Sequence, residues 1–430
     1  MKPSYYNYYI PLGIKDKMLL YNSLTNSYII ISSSLYNLFI NNINSIDTIK
    51  NGNEEFYAKL VDNNFIIKDG IDEKQDYLNS VIESRNSTNY YQLIINPTLA
   101  CNLNCWYCYE NHLGNSTMSS MTVSNILKHI IRKVEQDKFK ELSLDFFGGE
   151  PFLRFNIVKE ILIQVKAISE KYGFKLWVHF TTNATLINKD AFNFLKDYSP
   201  SFQITLDGNR ERHNTVRIPI NKKPTYDRIV KNIQFLTHQN EIKYILVRIN
   251  FSAQTIEGLS EILDDFENCN KSKMEFRLFK VWQENSDSID MNKLLKFIQL
   301  AQTRHFKVEY LPLHYNTYAC YADRVNEAVI NYDGNVYKCT GRDFTKEKAE
   351  GILMEDGTIQ WNEKKINQRM NIHIQQICLN CKLLPSCSKI CTQNLMERGD
   401  HIGCILEKGF SVEDYIIHNL NNEILNTNHE

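Results

Sequence analysis

Between residues 91 and 282, short apolar runs alternate with longer amphipathic ones. The runs YQLIIN, ELSLDFFGG, KLWVHFTTN, SFQITLDG, YILVRINFS and MEFRLFKVW are rich in β-branched and aromatic residues and read as strands. Between them, TVSNILKHIIRKVEQDK, NIVKEILIQVKAISEKYG, KDAFNFLKDY and YDRIVKNIQFLTHQN repeat apolar residues at helical spacing. Strands alternating with helices of this length predict parallel βα units, in an open sheet or a partial barrel, with chemistry at the C-terminal ends of the strands. Residues 1–68 read differently. The β-like runs YYNYYI, KMLLYN and SYIIIS precede the helix-like SLYNLFINN, with Ser34 as its expected N-cap, then the helix-like EEFYAKLVDNN and the strand FIIK. The charged stretch 69–90 reads as a linker, in part helical. Beyond 313 the helical rhythm fades into a loop-rich tail with one predicted hairpin, VINYDGNVYKC, turning at Asp333 and Gly334.

A length of 430 residues predicts two or three domains and a core large enough to shield a site from water. Lys and Arg (49) balance Asp and Glu (50), and the net charge of -1 provides no field for nucleic acid or anionic lipid. The N-terminal MKPSYYNYYIPLG lacks the apolar run of a signal peptide, and no window offers about 18 uninterrupted apolar residues. The expectation is a soluble, cytoplasmic protein with no nucleic-acid or membrane partner. Its 11 cysteines bunch at 101–108 and 320–404, which in a reducing compartment points to metal rather than disulfides. Cys269 stands apart and is assigned no role.

The densest bunch is CNLNCWYC, with Cys101, Cys105 and Cys108. Thiolates bind soft metals, and structural zinc wants four closed ligands where CxxxCxxC offers three. His112 is the nearest fourth ligand for a zinc site; without it, one corner of the metal stays open. The stretch matches the CxxxCxΦC signature of radical S-adenosylmethionine (SAM) enzymes, with Tyr107 at the aromatic position. That resemblance implies a partial (β/α)6 TIM-like barrel over 91–312. It also implies a 4Fe-4S cluster on Cys101, Cys105 and Cys108, one iron of which is chelated by SAM, with Tyr107 beside the adenine. Further segments follow in family order. DFFGGEP ends a strand with Gly148 and Gly149, which let a ligand approach the backbone, and Glu150, which can accept from an ammonium; it resembles the GGEP motif that binds the methionyl amino group. TTNATL looks like the TNGT segment and supplies Asn183. ITLDGNRERHNTVR is similar to an SLDG…HD…R stretch, with Thr205 for serine, Asn214 for aspartate, and Arg217. Thr205, Asn183 and Arg217 are thereby implied as SAM contacts. LVRINFS looks like the fifth-strand segment, in which Arg248 is either a site residue or a solvated charge.

The tail reads Cys320, then Gly334 and Cys339, then Cys378, Cys381, Cys387, Cys391 and Cys404. Taken alone, its CxxC pair is as compatible with zinc knuckles as with iron. The whole spacing resembles the SPASM domain, here 313–430, which implies two auxiliary 4Fe-4S clusters and three clusters in all. Cys378, Cys381, Cys387 and Cys404 are the implied ligands of one; Cys320, Cys339 and Cys391 those of the other, completed by His314 or by a substrate thiolate. Anaerobic sulfatase maturases carry an aspartate general base after the cysteine that follows the glycine. Here Thr340 stands there, and Asp343 is the nearest acid and the candidate base. Residues 1–68 resemble the small winged-helix-like leader-binding domain of ribosomal-peptide maturases. The resulting expectation is a radical SAM/SPASM peptide maturase that installs a thioether or carbon-carbon cross-link. Its expected partners are a precursor peptide and a low-potential electron donor such as flavodoxin or ferredoxin. The alternatives are an anaerobic sulfatase maturase, a radical SAM enzyme acting on a small molecule or RNA, and a zinc protein without catalysis.

Overall fold

The computed structural model describes residues 1–220, 223–253, 255–281, 283, 290–310, 320–371, 374, 376–387, 391–398, 404 and 411–427. His314, the implied cluster ligand, lies outside the described residues. Two compact units partition the chain: Met1–Asn86 with Leu311–Arg324 and Gln368–Glu423, and Ser87–Tyr310 with Val325–Asn367 and Ile424–Glu430.

The first unit opens with β1 (Lys2–Pro3), followed by an antiparallel meander of β2 (Asn7–Pro11), β3 (Lys17–Asn22) and β4 (Ser27–Ser32); β5 (Ile66–Ile67) returns to pair with β1. The helices Ser33–Asn41, Ile46–Gly52 and Glu54–Asp62 bury Phe39, Ile49, Phe56 and Leu60 against Leu20 and Ile31 of the meander. Ser32, not Ser34, caps the first helix: β4 runs directly into it, and Ser32 Oγ accepts the Leu35 N–H at 3.3 Å. The Ser34 hydroxyl is instead 2.8 Å from Ser32 Oγ. The helix Ile46–Gly52 was not expected, because only Ile46 and Ile49 give its polar sequence a buried side.

The helical part of the 69–90 stretch is most of it: Glu73–Asn86 is a packed helix rather than a free linker. Tyr77 and Val81, one turn apart, bury against Leu384, and Glu73 accepts from Ser4 Oγ at 2.6 Å and the Tyr5 N–H at 2.8 Å. Cys378, Cys381 and Cys387 lie in this unit, on a loop whose carbonyls are taken by N-terminal hydroxyls. Tyr5 donates to the Asn380 carbonyl at 2.7 Å, Ser23 to that of Lys382, and Tyr77 to that of Leu384 at 3.4 Å.

In the second unit the expected strands form within three residues of their predicted bounds. They are β6 (Tyr90–Ile95), β7 (Glu141–Phe146), β8 (Lys175–Thr182), β9 (Ser201–Leu206), β10 (Tyr244–Phe251) and β11 (Met274–Lys280), all parallel. β12 (Val308–Glu309) extends one edge. On the other edge, β13 (Glu327–Ile330) pairs parallel with β6 and leads through the predicted hairpin to β14 (Asn335–Tyr337), then β15 (Gly351–Leu353) and β16 (Ile359–Trp361). Gly334 takes the turn at φ +82°, a conformation that L side chains resist. The result is one eleven-stranded sheet. Phe146, Phe180 and Phe202 stand in register across β7, β8 and β9 and stack with ring centroids 5.1 and 5.5 Å apart. No helix among the described residues is long and apolar enough to cross a membrane.

Candidate active site

The loop after β6 leaves the sheet at Pro97 and is shaped by small polar groups. Thr98 Oγ1 donates to the Ser116 carbonyl at 2.6 Å, and Ser116 Oγ accepts the Leu99 N–H at 2.8 Å. The CNLNCWYC segment then makes an isolated antiparallel bridge between Leu103 and Pro219, with Asn104 N–H donating to the Ile218 carbonyl at 2.8 Å. Cys101, Cys105 and Cys108 are all half-buried free thiols. Burial pushes Cys101 up to about 12 and Cys108 to about 11, and raises Cys105, so each thiolate needs a compensating positive charge to form. Part of that charge is on the page: the Arg217 cation acts on all three thiols and opposes the rise.

The thiols feel one another electrostatically. Yet no three His, Cys, Asp or Glu side chains among the described residues gather around one ion position. His112 Nε2 lies 3.3 Å from Cys108 Sγ, the contact closest to the zinc alternative.

Tyr107 sits at the centre of a polar hub. Its hydroxyl is 2.9 and 2.7 Å from the two Asp207 carboxylate oxygens, and it accepts from Arg217 Nη1 at 2.9 Å and Asn250 Nδ2 at 3.0 Å. Arg217 and Asp207 are also paired at 3.3 Å, both buried, and Arg217 Nε is enclosed without a partner. Asp207 reaches this position because Gly208 turns the chain at φ +77°, where an added Cβ would press on Thr255 and Arg212 at 3.3 Å. Tyr107, Asp207 and Asn250 line a cleft of about 140 Å³ with Trp106, Arg212 and Ser252, at the C-terminal ends of β9 and β10.

The remaining sequence-implied contacts have distinct placements. Gly148, at φ +97°, and Gly149 pack so tightly on the Thr98 and Ala100 carbonyls that neither could carry a side chain. Glu150 is fully enclosed and already takes three protein donors: Phe152 N–H at 3.0 Å, Thr182 Oγ1 at 2.8 Å and Asn183 N–H at 2.8 Å. A carboxylate so occupied ties β7 to β8 rather than standing open to an ammonium. Asn183 braces the cysteine loop: its Nδ2 donates to Asn102 Oδ1 at 2.8 Å and lies 3.8 Å from Cys101 Sγ. Thr205 is half-buried on β9, in register with Arg248. Asn214, where the related motif has aspartate, accepts the Thr225 and Tyr226 N–H groups at 3.0 and 3.2 Å, a task its amide oxygen performs without a charge. Asp343 is bound to Lys348 at 3.0 Å.

Of the tail cysteines, Cys378, Cys381, Cys387 and Cys404 belong to the first unit, and Cys381 and Cys404 lie within electrostatic range of each other. Cys320 and Cys391 also fall in the first unit, whereas Cys339 falls in the second. Asp207 and Asn250 were missed from sequence. The LDG triplet was the available signal for the first, and nothing local marked the second.

A cysteine loop that follows the first parallel strand and is braced by polar side chains from the strand ends defines an enzyme of the radical SAM class. Residues 95–265 match the model of the radical SAM superfamily, and the chain carries that domain. It is 24% identical over 377 residues to the radical SAM cyclopropyl synthase TigE of Paramaledivibacter caminithermalis, spanning 78% of this chain and 75% of that protein. It is 26% identical over 333 residues to a cysteine-type anaerobic sulfatase-maturating enzyme of Clostridium novyi, spanning 70% of this chain and 88% of the relative. Among solved structures, native anSMEcpe with bound AdoMet and Cp18Cys peptide shares the fold with a TM-score of 0.53 at 16% identity, over 79% of this chain and 97% of that one. Streptococcus suis SuiB bound to precursor peptide SuiA gives a TM-score of 0.50 at 16% identity, over 92% and 97%.

Proposed function

We propose that this protein is a radical SAM peptide maturase that joins two positions of a precursor peptide through a thioether or carbon-carbon bond. When bound together, SAM and a reduced 4Fe-4S cluster supply a 5'-deoxyadenosyl radical, which takes a hydrogen atom from an unactivated carbon. The reading is carried by the conjunction of the half-buried CNLNCWYC thiols with the Arg217 cation and the Tyr107 cleft. Cys105 acts electrostatically on both Cys101 and Cys108, and three neighbouring thiols leave one metal corner open, which suits a cluster with a ligand-accessible iron better than a closed structural zinc site. Cys101, Cys105 and Cys108 would hold that cluster. The unpartnered Arg217 Nε, the half-buried Thr205 hydroxyl and the tightly packed 148–150 backbone would face SAM.

In this reading the chain's own groups bind, orient and exclude water. Asp207 fixes Tyr107 and Arg217 against each other, and the Asn102–Asn183 bond holds the loop's first cysteine at the end of β8. The tail cysteines would carry two auxiliary clusters. A peptide substrate is supported by the relatives: one matures sulfatases, and SuiB is seen with a precursor peptide. A leader segment would dock on residues 1–68, where the meander order leaves β4 as an edge strand with Ile30 exposed. Deleting 1–68 should then abolish precursor binding, and unchanged binding would sink that part. A low-potential flavodoxin or ferredoxin would supply electrons.

The test of the whole reading is anaerobic coexpression with the small peptides encoded beside the gene. Mass spectrometry should show loss of two hydrogens per modification. A second reading, sulfatase maturation, is favoured by the extent of the Clostridium novyi match. It would be recognised by formylglycine in a sulfatase peptide, although Thr340 stands where that chemistry places its base.

A further inference from the structure

Three arginines serve the second unit's strands and the loops above them, and their partners differ. Arg217 is paired with Asp207, and Arg277 with Glu275 and Glu309. Arg248 pairs with no carboxylate among the described residues; the acid that acts on it electrostatically, Asp207, is committed to Arg217. Along β10, Ile245, Val247 and Ile249 are fully buried on one face. Arg248 and Asn250 lie on the other, where Asn250 touches Tyr107 of the cysteine loop. The Arg248 guanidinium lies 3.8 Å from the Phe279 ring centroid, and its Nε donates to Asn250 Oδ1 at 2.9 Å. Its plane is thus fixed while both Nη groups keep no partner among the described residues. Desolvation disfavours its charge. Arg248 is half-buried, and a partly desolvated cation without a counter-ion gains when an anion arrives with a ligand. A fixed guanidinium presenting two parallel N–H groups fits a planar two-oxygen anion.

We propose that Arg248 binds a carboxylate of the peptide substrate, from an acidic side chain or the C-terminus, and so holds the neighbouring residue beside the Tyr107 loop. This rests on the peptide-substrate reading given above. The test uses the full-length chain, reconstituted anaerobically, loaded with SAM and immobilised without reductant. It is offered a pool of synthetic peptides, Asp or Glu members against their Asn, Gln or Lys counterparts, each with free or amidated C-termini, and the retained peptides are weighed by mass spectrometry.

Wild type should enrich acidic or free-acid members about ten-fold, the worth of a charge-assisted bond. R248Q should lose that preference, R248K should keep part of it, and R248E should favour Lys-bearing members. The terminus variants show which carboxylate is read. SAM affinity of R248Q by equilibrium dialysis should stay within about two-fold of wild type, which also certifies its fold. Retention without acid preference, or a preference that survives in R248Q, overturns the inference and leaves the peptide reading standing. If no peptide is retained, both fail. A loss of SAM affinity of about ten-fold or more in R248Q assigns the site to the SAM carboxylate and overturns it as well.

Discussion

The two cysteine loops, 101–108 and 378–387, are held by different means. The first is braced by side chains next to the thiols themselves: Asn183 on Asn102, His112 on Cys108, and the Asp207–Arg217 pair on Tyr107. The second is braced at its backbone, where Tyr5, Ser23 and Tyr77 donate to the carbonyls of Asn380, Lys382 and Leu384. In the first loop, scaffold and chemistry share the same charged groups, so a change to one disturbs the other. In the second, neutral hydroxyls fix the path of the chain at its carbonyls.

The comparison is sharpened most by the cysteines. Cys105→Ser should abolish iron-dependent SAM cleavage, measured as 5'-deoxyadenosine, whereas Cys381→Ser should spare part of the cleavage while blocking product. Equal losses would erase the distinction. Next in size is Asp207→Ala, which leaves Arg217 buried without its counter-ion and should cost about 3–5 kcal/mol in urea unfolding. Asp207→Asn, which keeps an acceptor, should cost less.

Acid should also separate the loops. His129 accepts or donates between the Tyr91 hydroxyl on β6, at 2.6 Å, and the Gly357 carbonyl at 2.8 Å, and burial lowers its pKa to about 4. The unfolded chain therefore takes up the proton first. His129 contributes its full stabilisation above pH about 6.5, and this is lost progressively as the pH falls toward 4, for a total of about 3 kcal/mol. Hydrogen exchange should accelerate in β6 and the helix Ser120–Asp137 over that range but not in 378–387, and His129→Gln should flatten the response. The smallest effect belongs to the second loop: Tyr21→Phe removes the 2.8 Å contact with Ser386 Oγ and should cost about 1 kcal/mol, with no pH dependence.

The sequence showed the parallel core closely, because each strand is a compact run rich in β-branched and aromatic residues that buries at least one face, and the helices between them keep a clean period. The cysteine loop was equally plain. Long-range partnership was not visible: Tyr107 meets Asp207 and Asn250 across 100 and 143 residues, and although the LDG triplet marks the first, nothing local marks the second. Part of 69–90 was expected to be helical, but Tyr77 and Val81 are too few to set the bounds of Glu73–Asn86 among charges, and only Leu384 reveals what they face. Glu150 and Asn183 were legible as polar groups beyond strand ends, but the protein partners they meet could be read only from three dimensions.

The pairing of β13 with β6 also orders events during synthesis. Asn96 and Asn331, just beyond the paired residues, are 235 positions apart, so the strand that leads into the CNLNCWYC loop keeps an open edge until more than three quarters of the chain has left the ribosome. A nascent chain presents those thiols on an unfinished sheet.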